Sequence, residues 1–404
     1  MTNRMHICFV SREYPTEDHT GGIATYTEKT AQTLARLGHQ VTVITEARAD
    51  ASRGIVDGIT LIRLAAPQTP PRFATRARAV ARTIRQLHIA PDIVQVCEYR
   101  AEGFWYSFLP RQHTRLVTRL ATPTSLVERL NRHEQGTGAR ARVLDRFERL
   151  QTRRSDAILS PTDALADLVC QQWHIPRHRV TTIRTGVDFA RRYSSSATAL
   201  PAELRGKEYI LYFGRLEERK GVHILAQALP KVLATYPHVH AVFVGNVQSY
   251  QGQSLQAYIE QHNEEFRERL HFFPRLSQPQ LYPLLKHALF AVLPSLWENL
   301  ANTCLEALDM GKPVVATLGC GFGEVIEEGR SGMLVPPGNA RALERALISM
   351  LMNDGRLIEM SLAAKMRANT FSQDIVIQDL LRFYKTLHGG VTMCPEPTPL
   401  SHAT

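Results

Sequence analysis

The 404-residue sequence contains no uninterrupted apolar run of the roughly 18–20 residues needed to cross a bilayer. Its first apolar stretch, Ile7–Val10, is too short for a signal-peptide core and leads directly into a strand-like pattern. The six cysteines (Cys8, Cys97, Cys170, Cys304, Cys320, Cys394) are scattered, with no Cys-x-x-Cys and no Cys/His cluster. That spacing argues against a zinc site and against a disulfide framework. Together these absences imply a reduced, cytoplasmic protein. Lysine is nearly missing from the first half. Residues 1–190 hold 27 Lys+Arg against 18 Asp+Glu, and Lys29 is the one lysine among them. The remainder carries 21 against 20, so almost all of the net charge of +10 lies in the first half.

The arginines are densest at Arg72, Arg76, Arg78, Arg82 and Arg85, and again from Arg129 to Arg154. Two readings stand side by side. The charge is a set of solvated helix faces, or the first domain faces something anionic, such as a phosphorylated lipid, an anionic membrane surface or a polyanionic glycan. No finger, RNP or other recognition motif accompanies the charge, so nucleic acid is not an expected partner.

What the sequence does have is an alternation of short apolar strands with amphipathic helices. Strands are expected at 6–10, 41–44, 59–64, 93–96, 116–120 and 157–160, and helices at 22–37 and 75–87. After a Ser/Ala/Pro stretch at Tyr193–Gly206 the pattern restarts. Further strands are expected at 209–213, 240–244, 270–273, 289–293 and 313–316, and helices at 222–235, 278–287, 302–310, 340–352, 356–369 and 374–387. This order implies two doubly wound α/β domains with parallel sheets, whose ligands bind at the carboxyl edges of the strands. The expected boundaries are 1–190, 205–372, a last helix at 373–388 and a flexible tail at 389–404.

Two loops in the second domain carry the chemistry. Gly214-Arg215-Leu216-Glu217-Glu218-Arg219-Lys220-Gly221 follows a strand and precedes a helix. Arg215 and Lys220 can grip a diphosphate there by charge-assisted hydrogen bonds, or the segment is an ordinary basic loop. Pro294 to Glu306 also runs from a strand into a helix. Asn302 and Thr303 are good helix-capping types, and a helix start binds phosphate through its free N–H groups. Glu298 lies in the loop and Glu306 about two turns along, where the two carboxylates can accept hydroxyls from different parts of one ligand.

On these residues the chain resembles the retaining, GT-B-fold glycosyltransferases of family 4. The matching stretches are Gly21 to Ala24, Leu37 to Thr45, Ile183 to Asp188, Gly214 to Gly221, Pro294 to Glu306, Gly311 to Ala316 and Gly321 to Gly332. The most specific of them is the Glu-x7-Glu pair, Glu298 and Glu306. The resemblance implies a nucleotide-sugar donor, a UDP-sugar ahead of GDP-mannose, and no cofactor. Arg215 and Lys220 would contact the donor diphosphate, with Gly214 allowing the ligand to approach. Glu306 would hold the ribose, Glu298 would face the sugar, and Leu300, Ala301, Asn302 and Thr303 would present backbone amides. Gly21 and Gly22 would close over the phosphates, and the backbone near Leu276 would touch the base. The first domain would take a glycan, lipid-linked or small-molecule acceptor, and the last helix would return to it.

Ala121 departs from the pattern, because a histidine commonly stands at that point of the family. Glu98, His113 and Arg119 are the nearby candidates to replace its contact, or they are ordinary loop residues. The sequence also lacks Asp-x-Asp, in keeping with the metal-independent type. The alternatives to a transferase are a catalytically silent GT-B binding protein and a sugar-nucleotide epimerase or phosphorylase-like enzyme of the same fold.

Overall fold

The computed structural model describes residues 4–14, 21–47, 50–131, 138–187, 199–300 and 302–389. Ala301, the tail beyond Gly389 and much of the Tyr193–Gly206 stretch lie outside the described residues. The chain divides into two compact units: Met1–Gly186 with Gln373–Thr404, and Val187–Ser372.

In the first unit the order is β1 (His6–Val10), α1 (Gly22–Arg36), β2 (Gln40–Glu46), β3 (Ser52–Val56), β4 (Ile59–Leu64), α2 (Arg72–Arg85), β5 (Ile93–Cys97), β6 (Arg115–Arg119), α3 (Thr124–Asn131), α4 (Ala139–Arg154), β7 (Ala157–Ser160), α5 (Asp163–Trp173) and β8 (Val180–Thr182). The second unit continues with β9 (Glu208–Phe213), α6 (Val222–Thr235), β10 (Val239–Val244), the small hairpin β11 (Ser249–Tyr250) and β12 (Gln253–Ser254), α7 (Leu255–His262), β13 (Leu270–Phe273), α8 (Gln278–His287), β14 (Ala291–Leu293), α9 (Asn302–Asp309), β15 (Val314–Thr317), α10 (Phe322–Val325), β16 (Gly332–Val335), α11 (Ala340–Leu351) and α12 (Asp354–Asn369). The last helix, α13 (Gln373–His388), belongs to the first unit.

The first unit is built on an 8-stranded sheet in the order β3-β4-β2-β1-β5-β6-β7-β8, the second on a 6-stranded sheet in the order β13-β10-β9-β14-β15-β16. Every pairing in the two is parallel except β3 with β4. Parallel strands need crossover helices on both faces, so the central strands read as continuous apolar runs. β1 follows that rule, with Ile7 and Phe9 packed toward α1 and α13 while Cys8 and Val10 pack toward α2. In the second unit Ile210, Tyr212, Ala241 and Phe243 pack with Val222, Leu225, Leu229 and Leu343 of α6 and α11.

One expected surface residue is internal. Arg76 is buried, paired with Glu102 and 3.6 Å from Glu46, so it does not belong to the basic face of α2. The two acids neutralise a charge that would otherwise be very unfavourable there.

Candidate active site

The second unit gathers its charged loop residues at the carboxyl ends of β9 and β14, which pair directly through Leu211 and Ala291. The β9 loop is held tightly. Gly214 ends the strand and donates its N–H to the Val244 carbonyl at 2.9 Å, and the Tyr212 hydroxyl donates to the Arg215 carbonyl at 2.6 Å. Gly221 closes the loop at φ +67°, and a Cβ placed there would lie 1.8 Å from the Pro294 carbonyl oxygen. Only glycine lets the two loops approach so closely. The Leu296 N–H then donates to the Arg219 carbonyl at 2.9 Å, so the loops are joined backbone to backbone.

Between them sits a charge cluster. Lys220 pairs with Glu298, and Arg219 lies 3.9 Å from the same carboxylate oxygen. Arg219 also bonds Glu217 at 2.8 Å, and Arg215 stands 3.3 Å from Glu217. Burial pushes the Glu298 carboxyl up, but Lys220, Arg219 and the Asn299 N–H outweigh it and hold the group below the usual carboxylate range. Arg215 is 58% exposed, against 16% for Arg219 and 19% for Lys220. Three cations therefore face two carboxylates, one cation being open to solvent. An incoming dianion can exchange with Glu217 and Glu298 for these donors. Arg219 and Glu217 were not singled out in the sequence; their position inside the same short turn as Lys220 is the signal.

Leu300 is half-buried ahead of α9, and Asn302 and Thr303 are its first two residues. They lie inside the helix, so the capping position falls before them, outside the described residues. Early N–H groups of a helix have no partner within it, which leaves amides at this end for a ligand. Glu306 is the fifth residue of α9, about one turn in rather than two, and half-buried. Its neighbours Cys304, Leu305, Ala307 and Leu308 are fully buried, as their apolar character suggests. Leu276 is half-buried between β13 and α8, at the same edge of the sheet.

In the first unit, Gly21 precedes α1 and Gly22 begins it, both exposed, beyond the carboxyl end of β1. Glu98 follows β5 and Arg119 ends β6, in adjacent strands. Glu98 is fully buried and accepts the Ala121 N–H on both oxygens, at 2.9 and 2.8 Å. Burial raises its carboxyl to about 6 despite that bond and one from the Cys97 thiol. Arg119 is buried as well. It donates to the Ile183 carbonyl at 3.1 Å and the Thr185 hydroxyl at 3.0 Å, with its guanidinium 4.0 Å above the Tyr26 ring. Both side chains thus have protein partners around Ala121. His113 does not join them, since it is exposed and precedes β6, at the opposite end of the strand.

A residue the sequence did not reveal supports this region. Glu148 of α4 is completely buried and accepts the N–H of Arg100 at 2.7 Å, the N–H of Thr124 at 2.9 Å and the Thr124 hydroxyl. It ties the loops after β5 and β6 together. Burial raises its carboxyl to about 7 against those bonds. Among the described residues, no group of His, Cys, Asp and Glu is arranged to hold a metal.

The family described as Glycosyltransferase Family 4 matches residues 20–191, and the one described as Glycosyl transferases group 1 matches residues 201–372. The glycogen synthase of Mycobacterium tuberculosis is 27% identical over 386 residues, covering 90% of each chain. The D-inositol 3-phosphate glycosyltransferase of Corynebacterium urealyticum is 25% identical over 389 residues, covering 91% of each. Among solved structures, the sucrose-phosphate synthase of Thermosynechococcus elongatus superposes with a TM-score of 0.74 at 19% identity, over 96% of this chain and 100% of that one. Anabaena HepE in complex with UDP-glucose gives 0.68 at 19% identity, over 95% and 100%. At such identities the structures establish the fold, two Rossmann-like parallel sheets of the GT-B type. The chain belongs to glycosyltransferase family 4, the group 1 glycosyl transferases.

Proposed function

We propose that the protein transfers a sugar from a nucleotide-sugar donor to an acceptor hydroxyl with retention at the anomeric carbon, in the making of a glycan, glycolipid or polysaccharide. The observation that carries this reading is the cluster of Arg215, Arg219 and Lys220 against Glu217 and Glu298, beside the start of α9. In this reading the second unit binds the donor and the first unit the acceptor. Arg215, Lys220 and the amides of Leu300 to Thr303 take the diphosphate, Glu306 the ribose hydroxyls, Glu298 the sugar, and the backbone near Leu276 the base. A UDP-sugar comes first as donor and GDP-mannose second, and HepE bound to UDP-glucose is a neighbour of the same fold.

The bond from the anomeric carbon to the diphosphate loosens first, giving the sugar oxocarbenium character. The cations and the α9 amides stabilise the negative charge that collects on the leaving diphosphate. The acceptor oxygen bonds to the same face of that carbon, and its proton passes to an oxygen of the departing diphosphate. A thermal-shift screen of nucleotides and nucleotide sugars, followed by a nucleotide-release assay with the best ligand, tests the reading. Stabilisation by a nucleoside diphosphate, with release that requires an acceptor, is the expected result. Binding without any turnover would favour the silent binding protein instead.

A further inference from the structure

The arginine-rich face of the first unit has a feature that charge counting does not show. α4 presents exposed Val143 (46%) and Leu150 (41%) two helical turns apart, with exposed Arg142 and Arg146 around them. Arg154 continues the stripe and lies 4.1 Å over the ring of Phe108, itself 44% exposed. The surface runs on into α2. Phe108 contacts Phe104, Phe104 contacts Trp105, and Arg78 stacks 4.8 Å over Trp105. The rings of Phe73 and Phe147 close the gap between the two helices at 5.0 Å. α2 contains no acidic residue, and the two acids of α4 point inward, Glu148 to Thr124 and Asp145 to Ser125, Gln172 and Trp173. Among the described residues, Arg72, Arg82, Arg85, Arg142 and Arg146 have no acidic partner, whereas the buried Arg76 has two.

We propose that this α2–α4 face docks the protein on a bilayer that carries anionic lipid. The chemistry selects that partner over a soluble polyanion. A polyanion needs the arginines alone, but three large apolar side chains held among unpaired cations fit the boundary between headgroups and acyl chains. Arginine stems and aromatic rings cover apolar surface there while the guanidinium groups meet phosphate. The proposal goes beyond the transferase reading and stands whichever sugar is moved.

The test is co-flotation of the full chain with phosphatidylcholine vesicles and with vesicles of phosphatidylcholine and phosphatidylglycerol. Binding is expected to the mixed vesicles only, weakening as salt rises. Each arginine near an anionic surface contributes about fivefold to partitioning, so the triple variant Arg82→Gln/Arg142→Gln/Arg146→Gln should bind about 100-fold more weakly. Val143→Ser/Leu150→Ser should also bind less, and the deficit should persist at low salt. A control variant, Ile358→Ser/Leu362→Ser/Met366→Ser, alters an exposed apolar stripe on α12 that lies outside the basic face. It should bind as the parent does. Circular dichroism and nucleotide-induced thermal shift report whether each variant is folded. Three results overturn the proposal: no binding of the parent to mixed vesicles, loss of binding in the α12 control, or unchanged binding in the Val143/Leu150 variant. The last would assign the face to a soluble polyanion.

Discussion

Lys220 is the most informative residue to remove. Its ammonium pairs with Glu298, and in the proposed complex it also meets a diphosphate oxygen. A hydrogen bond to a charged group contributes about 1.5–3 kcal/mol net. Since about 1.4 kcal/mol is a factor of ten, Lys220→Ala should lower kcat/KM about 10- to 100-fold. The fold should suffer less. Removing one partner of a fully buried pair costs about 3–5 kcal/mol. Here Glu298 stays 13% exposed and keeps Arg219 at 3.9 Å, so the loss should fall nearer 1–3 kcal/mol, roughly that of one charged hydrogen bond. A second signature concerns pH. The depressed carboxyl of Glu298 contributes stability above its unfolded value, and that contribution is lost as pH falls through the folded value. Without Lys220 the folded value rises, so acid should unfold the variant at a higher pH than the parent. The assay is nucleotide release from the donor chosen by thermal shift, with Lys220→Arg as the charge-retaining control and Glu298→Gln completing a double-mutant cycle. If Lys220→Ala turns over at the parent rate, or if Lys220 and Glu298 prove energetically independent, the clamp is wrongly placed.

Three further outcomes are expected. Gly221→Ala must fit a Cβ 1.8 Å from the Pro294 oxygen at φ +67°, so it should lose about 3 kcal/mol or more in urea unfolding; a normal midpoint would mean that the two loops are not so close. Glu148→Gln probes a raised carboxyl, whose protonated form contributes stability that is present below its ordinary value of 4.5 and lost as pH rises through about 7. The urea midpoint of the parent relative to the variant should therefore fall across that window, and a constant difference would count against it. Turnover should survive saturating EDTA, because in the proposed complex Arg215, Arg219 and Lys220 take the place of a divalent ion; activity lost to EDTA and restored by Mg²⁺ would reassign that role.

The sequence made the central strands and the two charged loops legible, because burial on both faces leaves apolar runs and a strand-to-helix turn leaves glycine and charge in order. Less could be read where structure depends on distant partners. β3 is exposed at all five positions and β8 has three residues, so neither carries a periodic signal. Arg76 looks like its neighbours on α2 until Glu46 and Glu102 are brought to it. Glu148 is another charged residue of a basic helix, and its partners Arg100 and Thr124 are 48 and 24 positions away. Arg119 falls near the end of the expected strand 116–120 with nothing nearby to pair it, but its guanidinium reaches Ile183 and Thr185, more than 60 positions on.

The chain leaves the first unit at Gly186 and re-enters it at Gln373, and the two passages touch. A Cβ on Gly186 would lie 2.8 Å from the Gln373 Cα, while Val187 donates its N–H to the Phe371 carbonyl at 2.9 Å. The second unit is therefore an insertion, and this sets an order of events at the ribosome. The first unit is synthesised first but finished last, because Val376, Ile377, Leu380, Leu381 and Tyr384 of α13 cover part of the sheet face formed by Ile7, Phe9, Val41 and Val43. At about 5–20 residues per second, the second unit takes about 10–40 s to emerge. It can close its own core in that time, while the older sheet waits with one face partly bare. A nascent chain that stops before Gln373 thus contains one finished domain and one sticky one, and it is the earlier-made domain that a chaperone must shield.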